Sequence, residues 1–422
     1  MKKTGYQSLR CGLLGEHLGH SFSPQIHREL ADYEYRLIEL APDELAGFLT
    51  GDGYDALNVT IPYKKAVIPY LDELSDEAQR IGAVNTIVRR DGKKYGYNTD
   101  YFGFDSLITH SQIPVAGKKV LVLGTGGASL TVQAVLADRG AGEITVISRN
   151  GADNYGNLDR HTDAEVIVNA TPVGMYPNNG VSPVSLRRFP RCEGVLDLIY
   201  NPARTALLLE AEELGIPAEN GLYMLVAQAA SACGFFTGSP VGGDAVEQIT
   251  AGIALDTQNV ILIGMPGCGK STVGREIARI SGRPFVDADE EFVRRYSVTP
   301  ADVITGEGEE KFRQIEHTVL CELSKKSGYV ISCGGGAVTR EENYAPLHQN
   351  GVILFLQREL SRLSTDGRPL SKGRSAEELY RERIDAYRRF ADLEITSTEV
   401  AEKTATAALD AIARRQIPER QV

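Results

Sequence analysis

Residues 264–272 read GMPGCGKST. Gly264 and Gly269 are separated by four residues and followed directly by Lys270 and Ser271, the spacing at which a glycine-rich loop turns its backbone N–H groups inward on a phosphate. The flanks agree. Ile261, Leu262 and Ile263 read as a buried strand, and residues 273–280 continue at helical spacing, so the loop meets the start of a helix, where unpaired N–H groups and the dipole favour an anion. Such a cradle ordinarily begins its domain, yet more than 250 residues precede this one, enough for an enzyme of their own. The reading is two enzymes in one chain.

Composition fits without naming either. With 422 residues, 42% hydrophobic and 24% charged, the chain is globular with room for two or three cores. A net charge of −11 with no basic stretch argues against nucleic acid. Six cysteines without a CxxC pair suit a reducing cytosol and buried, unpaired thiols. No run nears the about 18 apolar residues of a membrane span. A cytoplasmic protein with small-molecule partners and no membrane partner is expected, of open oligomeric state.

In the first hundred residues, polar groups collect at strand ends, where sites are built. His20-Ser21-Phe22-Ser23-Pro24 places two hydroxyls before a helix; they can bind a carboxylate or simply cap the helix. Asn58-Val59-Thr60-Ile61-Pro62-Tyr63-Lys64-Lys65 is a β-rich run ending in two lysines, either proton chemistry or a solvated pair. Ala83-Val84-Asn85-Thr86 and Asn98-Thr99-Asp100 add amides, hydroxyls and a carboxylate.

Further on, residues 118–123 form a strand, Gly124-Thr125-Gly126-Gly127-Ala128-Ser129 a tight turn, and residues 130–139 a helix closed by Gly140. This is the beginning of a Rossmann domain. The second strand, residues 143–147, ends in Ser148-Arg149 rather than an acidic residue, which favours a 2'-phosphate and hence NADPH. Residues 151–164 are too few for a full crossover helix before the strand at 165–169, so a trimmed connection is expected.

The order HSxSP, NVTxPxK, AVNT, NTD, GTGGAS, NATPVGM, DLIYNPARTAL, GLYMLVAQA resembles the shikimate dehydrogenase family to about residue 250. The resemblance implies an α/β substrate domain at 1–104, completed by about 230–254, and a Rossmann NADP domain at 105–229. It implies Lys64 and Asp100 as the catalytic pair and Ser21, Ser23, Thr60, Asn85, Tyr200 and Gln228 as holders of the carboxylate and hydroxyls of 3-dehydroshikimate. It also gives Gly124, Gly126, Gly127, Ala128, Ser148, Arg149, Thr171, Gly221 and Met224 to NADPH. The chemistry agrees: reducing a ketone needs a hydride on carbon and a proton on oxygen, and a lysine beside a carboxylate can deliver the proton and stabilise the developing alkoxide. Lys65 is then a bystander.

Residues 256–259 read as a short polar link with neither proline nor a Gly-Ser run, so the halves are expected to be tethered closely. After the cradle helix come Asp287-Ala288-Asp289, Gly308-Glu309-Glu310-Lys311-Phe312-Arg313, Cys333-Gly334-Gly335-Gly336-Ala337, Arg368-Pro369-Leu370 and Arg383. The two aspartates suit magnesium and a substrate hydroxyl, or a capped helix start; the three glycines bring backbone close to a ligand. This series resembles shikimate kinase over about 258–410. The resemblance implies a P-loop, nucleoside-monophosphate-kinase-like parallel-sheet domain at 255–422 that binds ATP through Gly267, Gly269, Lys270, Ser271 and Thr272. Ser271 and Asp287 would take Mg2+, and Asp289 the attacking hydroxyl. Arg313, Arg383 and Gly334 to Gly336 would hold shikimate, with Arg368 on a lid at 363–375. Arg383-Ile384-Asp385-Ala386-Tyr387 lacks the usual Pro-Leu-Tyr.

The whole is then α/β, a bifunctional enzyme that reduces 3-dehydroshikimate and phosphorylates the resulting shikimate. Two alternatives stand beside it: a dehydrogenase half acting on quinate with NAD, and a chain in which one half has decayed to a nucleotide-binding scaffold. Each half is long enough for its own core, so the halves are expected to be self-contained.

Overall fold

The structure is a computed structural model describing residues 2–19, 21–363 and 375–416; His20, Arg368 and almost all of the expected lid lie outside the described residues. Two compact units form: Met1–Val173, Ser182–Tyr200 and Glu210–Gly252 make the first, and Gly174–Val181, Asn201–Leu209 and Ile253–Val422 the second.

The first unit contains two sheets. One has six strands in the order Glu34–Glu39, Arg10–Gly15, Ala56–Val59, Thr86–Arg90, Lys93–Tyr97, Glu73–Leu74. Ala56–Val59 is buried at every position, which carries the polar Asn58 inside. Its antiparallel register with Thr86–Arg90 sets Asn58 opposite Thr86, so the amide finds a hydroxyl partner across the strands. The other sheet is parallel, in the order Ala218–Glu219, Gly194–Asp197, Val166–Asn169, Lys119–Leu123, Glu143–Ile147. Val120 to Leu123 are fully buried, as a strand covered on both faces should be.

The helix after Lys119–Leu123 begins at Gly127, three residues before the expected start at 130. Gly126 stands extended with φ −72° and ψ −180°, and the residues after it can turn directly into the helix. Only a short 3-10 turn, Leu158–His161, separates Glu143–Ile147 from Val166–Asn169, the trimmed crossover expected from its length. The helices Thr99–Ser111 and Leu222–Thr237 pack so closely that a Cβ on Gly103 would lie 2.8 Å from the Met224 carbonyl oxygen and 2.9 Å from Gln228 Cβ. That approach brings Gln228 beside Thr99.

The second unit is built on a parallel sheet in the order Phe285–Asp287, Val330–Ser332, Asn259–Ile263, Gly351–Gln357, Leu393–Thr396. The cradle follows the central strand, at the carboxyl edge where the strand order reverses and ligands bind in such sheets. The polar link expected at 256–259 does not exist as a loop. A helix runs Gly243–Thr257, the strand starts at Asn259, and Gln258 alone stands between; Asn259 is buried, its Oδ1 accepting from the Tyr329 N–H at 2.9 Å. This amide satisfies a neighbouring backbone group, a role that polarity alone does not reveal. Nor is the unit drawn wholly from the C-terminal stretch. The Arg204 N–H donates to the Gln349 carbonyl at 2.8 Å, and its guanidinium meets His348 Nε2 and the Gly351 carbonyl, each at 2.8 Å.

The six cysteines carry no disulfide, and among the described residues no helix is long and apolar enough to cross a membrane.

Candidate active sites

In the first unit, the Lys64 ammonium donates to Asp100 Oδ2 at 2.5 Å, with the side chains 28% and 17% exposed. Lys65, by contrast, is exposed. Asp100 sits in the first turn of Thr99–Ser111, whose N-cap Asn98 accepts from the Tyr101 N–H at 3.2 Å. The end of the strand is thereby turned into a helix at the carboxylate. Asn85 Oδ1 accepts from the Thr99 N–H at 2.6 Å and from its hydroxyl at 3.1 Å, and that hydroxyl lies 3.4 Å from Gln228 Oε1. Ser21 and Ser23 hydroxyls lie 3.1 Å apart, and Ser21 Oγ accepts from the Ser23 N–H at 3.2 Å; the helix N-cap is Phe22, with no side-chain cap hydrogen bond. Phe22 between them packs on Tyr200, ring centroids 5.8 Å apart. Burial raises the Tyr200 phenol, keeping its donor proton. Thr60 follows a strand end, its N–H bonded to the Leu14 carbonyl at 2.9 Å.

The nucleotide turn is open. A Cβ on Gly126 or Gly127 would meet nothing within 4 Å, whereas one on Gly124, at φ +104°, would lie 2.7 Å from Thr171 Cγ2. Gly124 is needed for its conformation and its close approach; Gly126 and Gly127 leave room for a pyrophosphate. Gly126 caps the helix with no side-chain hydrogen bond, so its first N–H groups are available to an anion, with Ala128 next in the turn. Thr171 donates to Asn169 Oδ1 at 2.7 Å. Ser148 Oγ accepts from the Gly151 N–H at 2.6 Å, and Arg149 is exposed. Gly221 lies against Leu198, where a Cβ would stand 2.1 Å from the carbonyl oxygen; Met224 is buried.

In the second unit, a cavity of about 640 Å³ is lined by the cradle, Asp287, Asp289, Arg313, Glu316, Gly334 to Gly336 and Arg383. Gly267 at φ +83° and Gly269 at φ +98° hold left-handed turns that other residues resist. Lys270 Nζ donates to the Gly264 and Met265 carbonyls at 3.0 and 3.2 Å. Beside it the Ser271 hydroxyl donates to Asp287 Oδ2 at 2.6 Å, and Asp287 Oδ1 accepts from the Asp289 N–H at 3.0 Å. Asp287 thus caps a helix and faces the cradle at once. A hydroxyl and one carboxylate are the hard, sparse donor set that suits magnesium, which keeps most of its waters.

Deeper in, Arg313 donates to Glu316 Oε2 at 2.6 Å and to Glu309 Oε1 at 3.2 Å. Its guanidinium lies where a Gly336 Cβ would be, 2.1 Å away. The Gly335 carbonyl accepts from Arg383 Nη1 at 3.3 Å and from the Tyr387 hydroxyl. Glu316 Oε1 and Arg383 Nε are buried without a hydrogen-bond partner among the described residues, a cost that a bound polar ligand would relieve. Asp289 lines the cavity and is exposed to it. Loss of solvent, then the charges of Asp287 and Glu316, push its carboxyl up to about 6.

Residues 13–87 match the family model described as shikimate dehydrogenase substrate binding domain, and residues 266–413 the one described as shikimate kinase. The shikimate dehydrogenase (NADP(+)) of Clostridium perfringens is 37% identical over 259 residues, covering 56% of this chain and 96% of that one. The chain belongs to the shikimate dehydrogenase family. A shikimate kinase domain follows in the same chain. Among solved structures, shikimate 5-dehydrogenase from Thermus thermophilus, in complex with NADP(H) and shikimate, is 33% identical with TM-score 0.53, covering 57% of this chain and 98% of that one. A chorismate mutase/shikimate 5-dehydrogenase fusion from Clostridium acetobutylicum is 35% identical with TM-score 0.54, covering 59% and 96%.

Two residues escaped the sequence reading. In the dehydrogenase half, Asn58 accepts from the Tyr35 hydroxyl at 2.8 Å and donates to Thr86 at 3.2 Å; the available signal was an amide inside an apolar strand. In the kinase half, Glu316 stands one helical turn after Arg313, so both reach the same cavity. Burial raises its carboxyl. The departure after Arg383 leaves that arginine in the cavity wall, with Tyr387 beside it on the same glycine carbonyl.

Proposed function

We propose that this chain catalyses two consecutive reactions: reduction of 3-dehydroshikimate to shikimate with NADPH, and phosphorylation of shikimate to shikimate 3-phosphate with ATP and magnesium. The observation that carries it is the pairing, in one chain, of the Lys64–Asp100 contact at 2.5 Å with a cradle whose cavity holds Asp289, Arg313 and Arg383. In the first reaction NADPH supplies a hydride to the carbonyl carbon. Lys64 gives a proton to the oxygen, Asp100 holds and aims the ammonium, and Ser21, Ser23, Thr60, Asn85, Tyr200 and Gln228 hold the ring. In the second, ATP supplies the phosphoryl group to a ring hydroxyl. Asp289 orients that hydroxyl, Lys270 neutralises phosphate charge, Ser271 and Asp287 would hold magnesium, and Arg313 and Arg383 take the carboxylate, because phosphoryl transfer asks chiefly for position and charge. Incubation with shikimate, ATP and magnesium, followed by phosphorus NMR, tests the second reaction; absence of a sugar-like phosphate monoester would refute it.

Arg149→Asp is expected to raise the KM for NADPH about ten- to a hundredfold, the worth of a charge-assisted bidentate contact, with far less effect on NADH. Steady-state assays with both cofactors decide it, and equal effects would exclude contact with a 2'-phosphate.

Arg313→Leu is expected to weaken shikimate binding by at least about thirtyfold, as loss of a buried charge partner does, while the Kd for ATP holds. It also strands Glu316, so the melting temperature should fall. Calorimetric titration with each ligand checks this; weakened ATP binding would place Arg313 at the nucleotide.

A further inference from the structure

Beneath the dehydrogenase substrate residues lies a layer that the proposed reaction leaves unused. Tyr35 pairs with Cys11, and Cys11 with Ala56, across adjacent parallel strands. Side chains two residues apart share a sheet face, so Tyr35 and Asn58 stand on the same face. The Tyr35 hydroxyl donates to Asn58 Oδ1 at 2.8 Å. The Tyr35 ring is clamped in turn. His27 stacks on it at 3.9 Å and 11°, with His27 Nδ1 2.6 Å from the Tyr33 hydroxyl and Phe236 stacked on the imidazole at 5.8 Å. His27 is 1% exposed, and burial lowers its pKa to about 3, so the clamp stays neutral at working pH.

An amide presents one oxygen and two N–H groups. With Asn58 Oδ1 turned to Tyr35 and one N–H given to Thr86 Oγ1 at 3.2 Å, the other N–H remains for a ligand oxygen. The order passes on: Thr86 Oγ1 lies 3.1 Å from Thr99 Oγ1, which reaches Asn85 and Gln228.

We infer that Tyr35 is a positioning residue for the reduction, whose single hydroxyl fixes the Asn58 amide as a donor toward the substrate ring. Removing the hydroxyl frees the amide to turn over and offer an oxygen to an oxygen. The inference rests on the proposed reduction and refines its substrate site.

The test is Tyr35→Phe, which keeps the stacked ring, with Asn58→Ala and the double variant beside it in the full chain. Tyr35→Phe is expected to raise the KM for 3-dehydroshikimate about tenfold, the factor of one hydrogen bond, with kcat within about threefold and the KM for NADPH unchanged. In the Asn58→Ala background the same change is expected to add little, the non-additivity of residues acting through one another. An unchanged KM, an equal rise in both backgrounds, or a matching rise in the NADPH KM with a lowered melting temperature would each overturn the inference. Phosphorylation by the same preparations, in the separate kinase site, controls for active concentration. An unmodified chain that reduces nothing would refute the proposed reaction itself, and the inference with it.

Discussion

Lys64→Ala is expected to lower kcat for ketone reduction by about three orders of magnitude or more, since proton transfer and stabilisation of the developing oxyanion each supply about a hundredfold or better. Phosphorylation by the same protein should stay at its normal rate. The size of the effect comes from the pair as much as from the proton. Lys64 and Asp100 are mostly shielded and 2.5 Å apart, so alanine leaves the carboxylate facing the carbonyl on which negative charge builds. The loss should therefore appear in kcat, with the KM for NADPH little changed. Parallel assays of NADPH oxidation and ATP consumption on one preparation measure this. Reduction surviving within about tenfold would mean that the proton comes from elsewhere.

Asp289→Asn is expected to cost phosphorylation about a hundredfold or more, the scale of a group that orients and deprotonates a nucleophile, while ATP still binds. The unmodified enzyme carries a related signature. Its Asp289 carboxyl is pushed up to about 6, first by loss of solvent and then by Asp287 and Glu316, so phosphorylation should decline as pH falls through about 6 and the carboxylate gains its proton. Stability follows pH in the opposite sense. A folded state that holds this proton more tightly than an ordinary aspartate, near about 4, is favoured while the proton is on; that stability is present in acid and lost as pH rises through about 6. Asp289→Asn should accordingly be no less stable than the unmodified protein at neutral pH, and relatively less so in acid. Rate against pH, with thermal melts at acidic and neutral pH, tests both halves. A flat rate profile through about 6 would show that Asp289 is not the titrating group.

The sequence made the cradle and the nucleotide turn legible because each depends on local chemistry, glycines where φ is positive and an apolar strand before a loop, whereas the Lys64–Asp100 pair came only with the family resemblance. Lys64 and Lys65 are alike as letters; in space the first is partly buried against Asp100 and the second is exposed. Asn58 and Glu316 were not found because their roles come from register and helix phase. Asn58 matters through the residue opposite it, and Glu316 through the arginine one turn before. The joint was misread for a related reason. Asp256, Thr257, Gln258 and Asn259 look like a polar linker, but the first two end a helix and Asn259 is a buried strand residue bonded to Tyr329. Nothing local in Arg204 announces that its guanidinium packs with His348 and Gly351.

The most direct test of two consecutive activities in one chain is a single incubation with 3-dehydroshikimate, NADPH, ATP and magnesium, following NADPH absorbance and phosphorylated product together. The expected result is loss of NADPH absorbance with shikimate 3-phosphate accumulating behind it, and shikimate accumulating instead when ATP is withheld. NADPH consumption with no phosphorylated product, or phosphorylation only of added shikimate with no reduction, would contradict the account.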